Sequence, residues 1–403
     1  MTAIKKYGNG LRRVSFEPGM SPDLLCAFWA LPPGKFCVRR RNMQAMTANQ
    51  IAPDHEKPLS PGSRAAWIDC ARGIAIVLVV YRHVLLGMKE AGLLRDVFFF
   101  NFSHFLNVTT ALPAFFFFAG FFVKRSCAHY GKKFMLNKLR VLVYPYFIWS
   151  IITIIIKSAM SGYVNRKAGF QDVVQIAYVP YDIFWFLYIL FLFEVIFWAL
   201  KKIDTRILLA ASVLLYLVNC FCSFYFTLDL LAQYLPFFYL GAFVYEKFKI
   251  EPVMARMGIV AFTALAALLA QVAAAWLNCS GLESFVMFEQ HKHIVNLLYD
   301  CTGILLVASL SICIAGDKNR SLLSRLLVFL GVNSLYIYVA HTIFTAGSRI
   351  ILSKVFDIQS PGVHVAAGVI LGVACSLLLY GLSKRFGFPY LYRLSDGDGR
   401  AAC

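Results

Sequence analysis

The chain has 403 residues, of which 60% are hydrophobic, 16% aromatic and only 15% charged, and its mean hydropathy is +0.67. Soluble globular domains are about half apolar and about a quarter charged, so this composition excludes that class and points to an all-α polytopic membrane protein. The net charge of +18 is then read as charge that orients helices and meets lipid headgroups, and no nucleic-acid partner is expected.

Residues 1–63 carry Arg39-Arg40-Arg41, Pro32-Pro33 and Pro61, with no apolar stretch of signal-peptide length. They are expected to form a basic, disordered cytoplasmic extension attracted to anionic lipid, and Met43 and Met46 offer alternative translation starts. Apolar runs of spanning length follow at 67–88, 105–123, 139–160, 183–200, 205–226, 229–246, 256–277, 293–315, 324–346 and 362–383. The expected domain is a bundle of about ten transmembrane helices over 64–383, followed by a short cytoplasmic tail at 384–403. The loops after even-numbered segments hold most of the loop Lys and Arg, led by Lys124, Arg125, Lys132, Lys133, Lys138 and Arg140, which predicts both termini on the cytoplasmic side. The eleven cysteines form no C-x-x-C pair, so neither a metal centre nor a permanently bound cofactor is expected.

Ionisable residues inside spans are costly and mark sites or cavities. The first segment holds Asp69, Arg72, Arg82 and His83. Arg72 and His83 are eleven residues apart, which puts them on one helix face about 16 Å apart along the axis, and Asp69 joins the stripe at i, i+3 spacing to Arg72. A helix-end ion pair that only anchors the segment is the plainer reading of Asp69 and Arg72; Arg82 points about 100° away from His83 and reads as a residue that snorkels to lipid headgroups. The ninth segment brings Asn333, Ser334, Tyr336, Tyr338 and His341, with Ser334 and His341 on one face and His341 at a depth similar to His83. Asp300 in the eighth segment and Asn219 in the fifth reach comparable levels, implying a polar cavity in the outer half, while Asn219 and Tyr336 read better as interhelical glue. Glu194, mid-way along the fourth segment, is either a satisfied core carboxyl or a cavity wall. The 124–140 stretch either fixes topology or captures the phosphates of a nucleotide-bearing thioester, with Arg140 as a candidate.

The stretch RAAWIDCARGIAIVLVVYRH, in which Arg72 and His83 are separated by ten residues, resembles the acyltransferase 3 family of integral-membrane O-acyltransferases, and within it the fucose 4-O-acetylase-like bacterial members. Weaker matches follow in the family's order: LPAFFFFAGFF at 112–122, LRVLVYPYFIW at 139–149, WFLYILFLFE at 185–194, LPFFYLGAFV at 235–244 and NSLYIYVAH at 333–341. Many relatives of that subgroup read F-H-M-P before the phenylalanine run. This chain reads T-A-L-P, with Ala111 at the histidine's place and His104 nearby.

The resemblance implies transfer of an acyl group, most often acetyl, from cytoplasmic acetyl-CoA or another acyl-CoA to a hydroxyl of a cell-surface glycan, exopolysaccharide or lipid-linked precursor, at the bacterial inner membrane. It implies His83 as general base or transient acyl carrier, and Arg72, oriented by Asp69, as a donor-binding group assisted by Arg140. His341, Ser334, Asp300 and Glu194 would line the acceptor side. Since no hydrolase-like domain follows the last segment, the expectation is direct acylation or hand-off to a separate periplasmic partner. The alternative from another class is a secondary transporter or exporter of a small solute that uses the intramembrane Arg, His and Asp residues; the absence of internal repeats counts against it.

Overall fold

The computed structural model describes residues 66–159, 170–222, 224–247, 256–280, 294–316 and 321–394, and among these it is helical with no strand. The expected extension at 1–63 lies outside the described residues. The helices are α1 (Ala66–Glu90), α2 (Val97–Tyr130), α3 (Phe134–Lys138), α4 (Tyr144–Ala159), α5 (Phe170–Gln175), α6 (Trp185–Leu200), α7 (Thr205–Phe221), α8 (Phe226–Lys247), α9 (Met257–Cys279), α10 (Ile294–Ala315), α11 (Leu322–Val332), α12 (Ser334–Ile350) and α13 (Pro361–Arg385). In hydrocarbon every backbone N–H and C=O must be satisfied within the segment, and that favours this all-helical solution.

Among the described residues, eight helical runs are long and apolar enough to cross a membrane. One of them, Val97–Ala159, is a 63-residue run that takes in two of the segments expected from sequence, and Thr205–Phe221 falls short of spanning length. The single ninth segment expected at 324–346 is divided at Asn333, between α11 and α12. The third opens with a π-helical turn at Leu139–Val143, where the chain is wound more loosely before α4. Local starts are set by side chains: Asp96 accepts from the Phe99 N–H at 2.9 Å to begin α2, and Asp204 from Arg206 N–H at 2.8 Å to begin α7.

Apolar area gives little drive for helices to associate in lipid, so close approach and aromatic interlock hold the bundle. Where α1 crosses α11, a Cβ on Gly73 would overlap the Leu327 carbonyl and one on Gly331 the Asp69 carbonyl. Gly120 and Gly241 do the same between α2 and α8. The phenylalanine run of α2 fills the interior: Phe116 contacts Phe186 and Phe193 of α6 and Tyr234 of α8, with centroids 4.7 to 5.1 Å apart. Pro113 and Pro236 lie buried inside α2 and α8.

The chain beyond α13 packs back on the bundle. Tyr144 Oη donates to the Tyr390 carbonyl at 2.7 Å and Trp149 Nε1 to the Leu391 carbonyl at 2.9 Å, while Tyr392 is buried against Trp149, Tyr336 and Tyr380. The end of the bundle that carries Lys124, Lys132, Lys133 and Lys138 is called the basic end below, and the opposite one the far end.

Candidate active site

α1 runs from the basic end to the far end and carries ionisable groups at two levels. Near its start, Arg72 Nη1 lies 3.7 Å from Asp69 Oδ1, and the guanidinium rests over the Phe122 ring at 5.1 Å. Both side chains are partly exposed, at 33% and 23%. Eleven residues on, about 16 Å by helix rise, His83 meets His341 of α12, with ring centroids 5.1 Å apart. The matched depth expected from sequence thus becomes direct juxtaposition.

His341 is fully buried, and its Nδ1 lies 2.7 Å from the Tyr338 carbonyl and 3.2 Å from that of Ile337. Carbonyls only accept, so Nδ1 must carry the proton and Nε2 presents a lone pair; Nε2 is buried with no hydrogen-bond partner among the described residues. Tyr338 is itself held by a hydrogen bond from its hydroxyl to the Ile183 carbonyl, which ties α12 to the turn just before α6.

On the far-end side of His83 opens a cleft of about 360 Å³. Its walls carry Thr153 and Lys157 of α4, Asp182 before α6, Thr342 and Arg349 of α12, and His364 of α13. Lys157 Nζ pairs with Asp182 Oδ2 at 2.6 Å, and Asp182 takes a φ of 46°, a left-handed conformation that aspartate tolerates better than most residues. Arg349 lies within electrostatic range of Glu90 on the same wall. Thr153 Oγ1 and His364 Nδ1 are buried there without a hydrogen-bond partner among the described residues. A ligand rich in hydroxyls would satisfy both, one as donor or acceptor and the other as acceptor.

Other residues singled out from sequence are placed elsewhere. Glu194 is not on the cleft: its Oε1 accepts from Lys138 Nζ at 2.6 Å, about 12 Å along α6 from Phe186, toward the basic end. Ser334 opens α12, seven residues and about 10 Å below His341. Asp300 is buried at 4% exposure, within electrostatic range of the Tyr216 and Tyr234 hydroxyls rather than of the cleft. Arg140 is half-buried in the π-turn at the basic end, packed toward α6. Asn219 and Tyr336 join helices as expected: Asn219 Nδ2 donates to the Asp229 carbonyl at 3.5 Å, and Tyr336 stacks on Tyr380 at 3.6 Å.

The reading of Arg82 as a lipid-facing residue is corrected. Its Nε is buried, and its neighbours in electrostatic range are Tyr234, Tyr338, His83 and His104, so it points into the bundle beside the histidine pair. The 100° offset from His83 is real, but His104 of α2, Tyr234 of α8 and Tyr338 of α12 come within electrostatic range on that flank, and a helical wheel cannot show which flanks neighbours cover. His364, Thr153 and Arg349 were also passed over. A histidine at the third position of the last apolar run was a usable signal for the first; the other two read as an ordinary span hydroxyl and a helix-end cation.

The described residues thus present a histidine pair, His341 buried and His83 half-buried, at the head of a cleft with polar side chains on its walls, and an arginine–aspartate stripe on the same helix nearer the basic end. No curated protein and no solved structure shows a significant match to the chain. The profile of the acyltransferase 3 family, an acyltransferase domain, matches residues 65–381, a span that holds every residue of this site. The match covers most of the chain and coincides with the helical bundle, and the protein is a multi-pass membrane acyltransferase belonging to the acyltransferase 3 family.

Proposed function

We propose that the protein is an O-acyltransferase of the bacterial inner membrane that moves an acyl group, acetyl as the first candidate, from cytoplasmic acyl-CoA to a hydroxyl of a cell-surface glycan or its lipid-linked precursor. The observation that carries this reading is the contact of His83 with His341 at the head of the cleft. An alcohol is a poor nucleophile at neutral pH and needs a base within hydrogen-bond reach, and a neutral imidazole meets that need.

With both termini cytoplasmic, the basic end faces the cytoplasm and the cleft faces outward. Acyl-CoA then enters past Arg72, whose planar fork suits a CoA phosphate and whose orientation is set by Asp69; Arg140 is the second donor-side cation. The roughly 16 Å from Arg72 to His83 is of the order that an extended pantetheine arm covers. The acceptor enters from the far end, its hydroxyls meeting Thr153 and His364. His83 removes the proton from the attacking hydroxyl as its oxygen forms a bond to the thioester carbonyl carbon. The tetrahedral species collapses with cleavage of the carbon–sulfur bond, and the thiolate takes the proton from His83 to leave as CoA. His341 supports the step by offering its Nε2 lone pair beside the His83 ring.

The test is mass spectrometry of surface polysaccharide from a deletion strain complemented with wild type or with His83→Ala. The expected result is loss of an ester-linked acyl mass that only wild type restores. An unchanged glycan in the deletion strain overturns the glycan assignment.

A further inference from the structure

Five cations of this bundle have a carboxylate partner among the described residues, and others such as Lys89 and Lys384 rest over aromatic rings. Arg72 has Asp69, Lys124 has Glu246 at 2.7 Å, Lys138 has Glu194, Lys157 has Asp182, and Arg349 faces Glu90. Arg82 differs. Among the described residues no carboxylate lies within its electrostatic range; the groups there are the phenols of Tyr234 and Tyr338 and the imidazoles of His83 and His104. Its Nε is buried with no hydrogen-bond partner among the described residues. The Tyr338 hydroxyl is committed to the Ile183 carbonyl, so it offers Arg82 no anion. Tyr234 is clamped between Trp185, stacked on it at 5.7 Å, and Phe116 at 4.9 Å, which fixes the phenol beside the guanidinium.

A guanidinium inside a membrane bundle is expensive unless something negative meets it, and the fork of N–H groups is the geometry that matches a carboxylate or phosphate. The neighbours assembled here are hydrogen-bond donors or ambivalent groups, the complement of an anionic oxygen and not of a neutral alkyl chain. Arg82 lies within electrostatic range of His83, so an anion held there would sit close to the reacting atoms.

We propose that Arg82 is the residue that recognises a fixed negative charge on the substrate: a carboxylate borne by the acceptor sugar or by the far end of the acyl group transferred. This rests on the acyltransferase reading for the identity of the two molecules, while the charge recognition itself is measurable without turnover. A transient oxyanion alone is a weaker account, because it would leave the half-buried cation without a counter-charge through substrate binding.

The experiment uses the full chain in nanodiscs and matched probe pairs that differ only by the charge. Methyl β-D-glucuronide is compared with methyl β-D-glucoside for the acceptor source, and succinyl-CoA with acetyl-CoA for the acyl source, by ligand-dependent shift in melting temperature. In wild type, the charged member of one pair is expected to bind about tenfold tighter or more than its neutral partner. Which pair discriminates names the source. Arg82→Gln should bring that ratio close to one, and Arg82→Lys should keep part of it. Wild type with no preference in either pair overturns the proposal, as does an Arg82→Gln variant that keeps the preference. Should Arg82→Gln fail to fold, wild type and Arg82→Lys decide. Discrimination together with an unchanged glycan in the deletion strain would sink the glycan reading and leave the charge site standing.

Discussion

His341 gives its Nδ1 proton to the Tyr338 carbonyl 2.7 Å away, one turn back on its own helix. This fixes the tautomer, leaving Nε2 as the bare nitrogen of a ring that lies 5.1 Å from that of His83. One function belongs to each nitrogen, so substitutions can separate them. Asparagine keeps a donor at the Nδ1 position but has no atom where Nε2 was. His341→Asn should therefore hold a melting temperature close to wild type and lose acyl transfer by about 10²-fold or more, the scale of a lost acid–base group. His341→Ala should lose both. If His341→Asn transfers at the wild-type rate, the Nε2 lone pair has no part in the reaction.

For His83 the expectation is stronger. His83→Ala should abolish transfer, with insertion and folding retained, because the position is half-buried against the cleft and the change removes no hydrogen bond that joins helices. Direct attack by the acceptor further predicts that wild type incubated with acetyl-CoA alone shows no added acyl mass. Intact-protein mass spectrometry after donor-only incubation decides this, and an acyl adduct mapped to His83 would replace the base role with that of a covalent carrier.

At the donor end, charge and shape can be separated. Arg72→Lys keeps the positive charge near Asp69 but loses the planar fork and its seat over Phe122. The half-saturating concentration of acyl-CoA should rise in Arg72→Lys and rise further in Arg72→Ala, by about tenfold between wild type and alanine. Titrating donor at fixed acceptor reads this. Equal donor affinity in all three proteins would leave Arg72 and Asp69 as a helix anchor and nothing more.

The first-helix stripe was legible because helix geometry is local: eleven residues fix the face and depth of Arg72 and His83 without any tertiary knowledge. Depth counting likewise placed His341 level with His83, and the positions of the apolar runs followed from hydropathy alone. What depth counting cannot supply is azimuth between helices. Glu194 and Asp300 stand at plausible levels yet face Lys138 and the Tyr216–Tyr234 pair, because neighbours from distant sequence cover those flanks. Arg82 failed for the same reason in the other direction. The break at Asn333 and the loosened turn at Leu139–Val143 were missed too, although Gly331 and Asn333 flag the first and Pro145 follows the second, because the hydropathy stays apolar across both.

The crossing of α1 and α11 allows a packing prediction with its own control. A methyl group on Gly331 would overlap the Asp69 carbonyl, a backbone atom that cannot swing away, whereas one on Gly347 meets nothing within 4 Å. Gly331→Ala should force the helices apart at a cost of about 1–3 kcal/mol and disturb the Asp69–Arg72 pair, while Gly347→Ala should be neutral or slightly stabilising through helix propensity. Melting curves of the two detergent-solubilised variants test it, and equal stability would show that α11 shifts freely along α1.

The Lys138–Glu194 pair makes the last prediction, and it depends on the asymmetry of buried charge. The side chains are 14% and 4% exposed, and Glu194 Oε2 has no hydrogen-bond partner among the described residues, so the pair is deep but incompletely satisfied. Removing one member strands the other in low dielectric, and Lys138→Met should cost about 3–5 kcal/mol. Replacing both with apolar groups of similar volume removes the desolvation penalty along with the attraction, so Lys138→Met combined with Glu194→Leu should recover most of that loss. The double variant should also transfer acyl groups at close to the wild-type rate, because the pair lies toward the basic end on α6 and away from the histidines. Melting temperature and activity of the single and double variants are read together. A double variant that is stable but inactive would move Glu194 from helix pairing into the donor path, where the π-turn bearing Arg140 packs against the same helix.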